Sequence, residues 1–269
     1  MDPLSQATIG AAAAQSVIKK ADLARIGLIG ALAGMAPDLD VLIQSSTDPL
    51  LQLEYHRQFT HSLVFVPFGA LLCAMAFWPF VRRHMSFKAI WLTALAGYAT
   101  HGLLDACTTY GTLLLWPFSD ARIAWNTISV VDPLFTLPLL GFVIVAGVKK
   151  SQLIGQLGMA WVAFYLSIGI IQEERARTAG EALVAQRGHA PALVSAKPSF
   201  GNLLLWKQCM NMTVNSGSTP CERVVTSPSS RETMYSVLIS QQRFHGSTQS
   251  LSKRETWSVF GGFQMTIWR

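Results

Sequence analysis

Charge is what this chain lacks. Only 13% of its 269 residues are Asp, Glu, Lys or Arg, against about 25% in an ordinary soluble domain. Half the residues are hydrophobic and mean hydropathy is positive, at +0.34. That deficit points to a membrane protein over a large soluble core. Cysteine is also sparse. Cys73, Cys107, Cys209 and Cys221 form no CxxC pair, which argues against a thiolate zinc site or a disulfide framework. The N-terminus MDPLSQ has no positive stretch ahead of the apolar residues, so no cleavable signal peptide is expected. Residues 207–269 contain no Asp and hold four of the six surplus positive charges, leaving two for the first 206 residues. No basic face interleaved with aromatics stands out, and nucleic-acid binding is not expected.

Long apolar runs are present instead. Residues 6–18 and 23–36 read as short helices rich in Gly and Ala, the second closed by Pro37. Both fall short of the roughly 20 residues that span a bilayer, and their small side chains suit close helix packing. Four stronger membrane segments come after them, at 63–80, 89–104, 134–148 and 153–171. Backbone groups in lipid must be satisfied within helices or a closed barrel. The expected fold class is therefore all-α: a polytopic membrane helical bundle of about four clear transmembrane helices plus two short N-terminal apolar helices. The expected division is a membrane-embedded domain at 1–171, an amphipathic connector and the start of a soluble region at 172–206, and an irregular tail at 207–269. The tail is rich in Ser and Thr and has no clear period.

The polar motifs lie between these runs. They are PDLD, with Asp38 and Asp40; HRQFTHS, with His56, Arg57 and His61; and HGLLD, with His101 and Asp105. Placing the basic turns Lys19/Lys20/Arg25, Arg82/Arg83/Lys88 and Lys149/Lys150 in the cytoplasm puts all three motifs on the opposite, outer face. Ionisable groups at a membrane boundary are costly and mark function.

His101 and Asp105, spaced i, i+4, share one helix face and can ligate one metal, or the carboxylate can orient the imidazole. Asp38 and Asp40 come after Pro37 on a stretch read as non-helical, where alternate carboxylates do not share a face; one ligates while the other bridges or supports. His56 and His61 bind one ion if their loop bends, or two neighbouring ions. His and Asp ligands without thiolate fit Zn²⁺ with an open position, or Mn²⁺ or Fe in a two-metal site. Arg57 and Arg122 are candidates to neutralise an anionic substrate group, and whichever of Asp40 and Asp105 is not bound to metal is the candidate general base. In the loop 108–133, Trp116 and Trp125 fit an interfacial aromatic belt, and Asn126 and Asp132 are candidate substrate or supporting groups. Each motif alone also has a plain structural reading: a packing histidine, a helix-capping loop, a snorkelling cluster. His84, His189 and His245 are read that way. The alternative function is a non-catalytic transporter, proton relay or interaction scaffold using the same residues.

The series PDLD, HRQFTHS and HGLLDACTTYGTLLLWPF, in its membrane context, resembles the YdjM-like family of bacterial inner-membrane proteins, described as predicted membrane-bound, metal-dependent hydrolases. The resemblance runs from about Asp2 to Trp206 and includes KPSFGNLLLWK; the residues beyond Lys207 do not resemble the family. It implies an inner-membrane location, a divalent metal, and metal residues Asp38, Asp40, His56, His61, His101 and Asp105. The function expected is a membrane-bound hydrolase whose metal-activated water attacks an ester, amide or phosphoester of a lipid-borne or periplasmic substrate, with membrane lipid as the partner. Gln6 departs from the pattern, because some relatives carry a His near the N-terminus.

Overall fold

A computed structural model describes residues 1–18, 22–42, 56–186, 193–201, 203, 205–211, 224–226, 255–259 and 263–267. They fall in two compact units, Met1–Val237 and Leu238–Arg269. The first is dominated by six α-helices: α1 (Pro3–Val17), α2 (Leu23–Met35), α3 (Val66–Val81), α4 (Phe87–Ala106), α5 (Pro133–Lys149) and α6 (Gln152–Gln186).

The helix starts arise from local chemistry. Asp2 caps α1 by accepting from the Ser5 backbone N–H at 3.0 Å, with Pro3 at the first helical position. Asp132 caps α5 by accepting from Leu134 and Phe135. Asp132 also accepts from the Tyr165 hydroxyl at 2.7 Å, so this candidate supporting group is a helix cap that ties α5 to α6. Asn126, in the same loop, has a positive φ of 54° and donates to the Ala124 carbonyl.

The central element is α1, which packs against α2, α4, α5 and α6. Its residues from Thr8 to Gln15 are all buried. Small residues make this possible. A Cβ at Gly10 would strike the Gly30 carbonyl and one at Gly97 would strike the backbone of Gly30, so α1, α2 and α4 approach to backbone contact. Gln15 is buried on α1 and donates from Nε2 to the carbonyls of Leu23 and Val143. One apolar cluster joins α1, α5 and α6 around Phe135, Leu139 and Tyr165. A second joins α2, α3 and α4 around Ile26, Ile90 and Tyr98.

The outer faces of the bundle are apolar. Phe68, Leu72 and Phe80 on α3, Leu137, Ile144 and Val148 on α5, and Leu153, Phe164 and Ile170 on α6 are exposed. Among the described residues, only α6 is long and apolar enough to cross a membrane by length and composition. At 16 and 17 residues, α3 and α5 are apolar but shorter.

Four features differ from the sequence reading. PDLD is not extended: Ala36–Leu42 continues α2 as a 3₁₀ helix. Pro37 is accepted there because the first turn of a new helical stretch needs no N–H from it. The last apolar segment is not a separate element, since α6 carries on past it through the expected connector to Gln186. Strands also stand beyond it. β1 (Leu193–Pro198), β2 (Trp206–Asn211) and β3 (Val224–Thr226) form an antiparallel sheet in the order β1-β2-β3, with Ala196 opposite Gln208 and Trp206 opposite Thr226. Ala196 and Trp206 close onto Ala176 of α6. In the second unit, β4 (Glu255–Val259) and β5 (Phe263–Ile267) pair antiparallel, with Trp257 opposite Met265. These runs hold Val, Thr, Trp, Phe and Ile, residues that favour strands even without a clear alternation.

Candidate metal centre

Three chain segments meet at one end of α1. The 3₁₀ turn Ala36–Leu42 brings Asp38 and Asp40, a second 3₁₀ turn at Phe59–His61 brings His61, and the last turn of α4 brings His101 and Asp105. At about three residues per turn, Asp38 and Asp40 leave their helix in different directions. Their surroundings differ accordingly.

Asp38, His61, His101 and Asp105 form one group, each offering a ligand atom within 4.8 Å of the others. The Nε2 atoms of His61 and His101 face each other at 2.9 Å. Asp38 Oδ1 lies 3.5 Å from the first and 3.3 Å from the second. Asp105 Oδ2 lies 3.5 Å from His61 Nε2. His61, His101 and Asp105 are fully buried, and Asp38, at 29% side-chain exposure, is the member nearest solvent.

The hydrogen bonds on the far side of each ring fix the tautomers. His101 Nδ1 lies 2.6 Å from the Gly34 carbonyl, which can only accept, so Nδ1 carries the proton. His61 Nδ1 lies 2.9 Å from Thr60 Oγ1 and 3.4 Å from Asp40 Oδ2. Thr60 Oγ1 itself donates to Asp40 Oδ2 at 2.9 Å, so it too presents a lone pair to His61 Nδ1. In their neutral forms both imidazoles therefore turn an Nε2 lone pair into the group. Burial pushes the His61 pKa down from its ordinary 6.5, which favours that neutral form. Burial pushes the Asp38 carboxyl up, but when His101 or His61 is protonated its hydrogen bond and charge outweigh that and hold Asp38 below the usual carboxylate range. Asp40 is lowered in the same way, its burial outweighed by the hydrogen bond from His56 and by His61, Arg57 and Thr60.

Two opposed lone pairs and two carboxylates form a buried donor set in which the cations of the chain, Arg57 and the Met1 amino group, reach only Asp105. A tetrahedral zinc site with bonds of about 2.0–2.1 Å has ligand-to-ligand edges of about 3.3–3.4 Å. The 3.3 and 3.5 Å separations match that scale, and the 2.9 Å contact needs only a small opening. Asp105 Oδ2 is also buried without any hydrogen-bond partner, as expected of an atom shaped for a ligand. The residues present fit a divalent metal ion.

The other sequence candidates take different places. Asp40 lies outside the group of four. Its Oδ1 is 2.7 Å from His56 Nδ1, and its Oδ2 accepts from the Arg57 N–H at 3.1 Å and from Thr60. It buttresses His61, the arrangement that orients metal-binding imidazoles. His56 stands on Asp40 at the rim, 33% exposed. Arg57 lines the group, its Nε 3.4 Å from Asp105 Oδ2. Arg122 is exposed, as is His84, while His189 and His245 lie outside the described residues.

Gln6 also reaches the site. It is fully buried and donates from Nε2 to Asp105 Oδ1 at 2.9 Å, and the Met1 amino group binds the same oxygen. These contacts anchor Oδ1 and leave Oδ2 toward the histidines. Sequence reasoning marked Gln6 only through its departure from the family pattern. It missed Thr60, whose one signal was its place beside His61 in HRQFTHS.

Comparison with known proteins agrees with the family resemblance. The chain is 35% identical over 150 residues to the inner membrane protein YbcI of Escherichia coli (strain K12), covering 51% of this chain and 83% of YbcI. It is 28% identical over 153 residues to the uncharacterized protein YfhP of Bacillus subtilis (strain 168), covering 56% of this chain and 46% of YfhP, about half that relative's length. No solved structure matches. The family match covers residues 1–176, so KPSFGNLLLWK lies beyond it. With well over half its length matched, the chain belongs to the YdjM inner membrane protein family, and with it to the bacterial inner membrane.

Proposed function

We propose that this protein is a multi-pass membrane hydrolase that uses a divalent cation held by Asp38, His61 and His101, with Asp105 completing the site. The observation that carries the reading is the pair of Nε2 lone pairs, 2.9 Å apart, converging with two carboxylates while each Nδ1 is engaged elsewhere. When bound, such a cation supplies Lewis-acid polarisation of a carbonyl or phosphoryl oxygen and acidifies water; the two-nitrogen, oxygen-donor set suits zinc first, with manganese or iron as alternatives.

The chain's own residues do the rest. Asp40 and Thr60 fix the His61 ring, and the Gly34 carbonyl fixes that of His101. Gln6 holds Asp105 by Oδ1. Asp105 Oδ2, which takes no hydrogen bond, is thereby left to face the cation as the fourth donor atom. The full burial of His61, His101 and Asp105 excludes bulk water and strengthens each of these interactions.

Around the site the surface is apolar: Leu39, Leu42, Leu63, Val64, Leu115 and Phe118 are all exposed. That collar supports a lipid-borne substrate and a membrane–water boundary position. The exposed apolar faces of α3, α5 and α6 support membrane embedding by several helices, and the positions of the basic turns support an outer, periplasmic site.

The test is hydrolysis of chromogenic carboxyl and phosphate esters by the detergent-purified protein. Activity should vanish with a chelator, return with Zn²⁺ or Mn²⁺, and be absent in His61→Ala and His101→Ala. Hydrolysis unaffected by chelation, or retained in both variants, would overturn the reading.

A further inference from the structure

Arg57 is held in an unusual way. Its backbone lies at φ +65°, in the left-handed region that non-glycine residues rarely adopt. Two contacts hold it there: its N–H donates to Asp40 Oδ2 at 3.1 Å, and its carbonyl accepts from the Leu113 N–H at 3.1 Å. The guanidinium lies over the Tyr110 ring, 5.0 Å from the centroid. Nε faces Asp105 Oδ2 at 3.4 Å. Strain, stack and ion pair together orient one side chain toward the edge of the donor set.

Nη1 has no partner, although the atom is buried and the side chain is only 12% exposed. A buried guanidinium donor left unpaired is costly, and strained residues persist where their surroundings hold them for use. If Arg57 served only to neutralise Asp105, it would present its planar fork to that carboxylate in two short bonds. It makes one long contact instead and keeps Nη1 free.

Charge gives the ligand class. Asp38 and Asp105 balance a divalent cation, and the two histidines turn neutral nitrogens inward. The Met1 amino group on Asp105 and the Asp40 carboxylate beside His61 offset each other, and Arg57 then leaves one positive charge at the site. We infer that Arg57 Nη1 is an anion-contact subsite, placed to bind an oxygen of a singly charged oxyanion, a phosphodiester or a carboxylate, as that group meets the metal. This rests on the metal reading above and adds the charge class of the substrate.

The test uses the full-length protein in detergent, loaded with Mn²⁺, and two small probes, diethyl phosphate and acetate. Binding is read without turnover, from the paramagnetic broadening of the probe's NMR signal by Mn²⁺. Mn²⁺ affinity is measured first, in the wild type, Arg57→Gln and Arg57→Lys. The expected result is Mn²⁺ binding in all three and affinity for at least one probe about tenfold or more weaker in Arg57→Gln, with Arg57→Lys intermediate. The probe that responds identifies the phosphodiester or the carboxylate. Equal probe affinity in wild type and Arg57→Gln, with Mn²⁺ bound, would overturn the subsite alone. Absence of Mn²⁺ binding to the wild type would overturn the metal centre and the subsite with it.

Discussion

On the proposed metal centre, replacing Asp40 by Asn separates a residue that would hold the metal from one that would support a ligand. Asp40 Oδ2 accepts from Thr60 at 2.9 Å and from the Arg57 N–H at 3.1 Å, and stands 3.4 Å from His61 Nδ1. None of its contacts is to an Nε2 atom of the donor group. The amide keeps the shape and one acceptor but loses the charge that raises the basicity of His61. Outer partners of metal-binding histidines typically contribute 10- to 100-fold in metal affinity, about 1.4–2.7 kcal/mol. Asp40→Asn should fall in that range. His101→Ala deletes a ligand nitrogen and should lose more than about 100-fold. His56, half-buried at the rim and reaching the site through Asp40 and an edge-to-face contact with the His61 ring, should cost no more than about fivefold on substitution by Ala. The assay is competition for Zn²⁺ against a chromogenic chelator in detergent, with the unfolding midpoint of each metal-free variant recorded to separate loss of fold from loss of ligand. Asp40→Asn losing as much as His101→Ala, or His56→Ala losing more than Asp40→Asn, would refute the assignment.

Other expectations rest on the same geometry. Gly97→Ala drives a methyl group into the backbone of Gly30 and should destabilise the fold by about 1–3 kcal/mol; an unchanged thermal midpoint in detergent would contradict the close packing of α2 and α4. For pH, His61 is depressed from 6.5 and Asp38 and Asp40 from 3.8, so the unfolded chain binds more protons than the folded one as acid is added. Stability of the metal-free protein should be full above about pH 6.5 and fall as pH drops through 6.5 and then 3.8; a thermal midpoint that rises on acidification would contradict it. In a background with the four native cysteines replaced by serine, Asp120→Cys should react with an impermeant maleimide from the periplasmic side and His84→Cys should not. The reverse pattern would invert the proposed topology.

Much of the site was legible because its chemistry is local in sequence. HGLLD sets His101 and Asp105 one turn apart on a helix, and both are fully buried on the face that meets His61. The division of labour within PDLD and HRQFTHS was not legible, because it depends on backbone geometry. Only the 3₁₀ turn at Ala36–Leu42 decides that Asp38 meets the histidines while Asp40 turns to Thr60. Only the folded loop, with Arg57 in the left-handed region, shows His56 on Asp40 and outside the donor group. The apolar runs located most of the helices, but not the central place of α1. That helix has little amphipathic contrast, being buried on nearly all sides, so periodicity has nothing to report. Its small residues were the only signal. The strands β1 to β3 escaped because short runs such as VVT lack the alternation that marks a half-buried strand.

The most direct test of the metal centre is metal content. The full-length protein, purified in detergent without chelator, is analysed by elemental mass spectrometry beside His61→Ala/His101→Ala, with both shown to be folded by circular dichroism. The expected result is a divalent transition metal bound stoichiometrically in the wild type and lost in the double variant. A folded wild type that binds no such metal after incubation with Zn²⁺, Mn²⁺ or Fe²⁺, or equal metal in the double variant, would contradict a metal held by these two histidines.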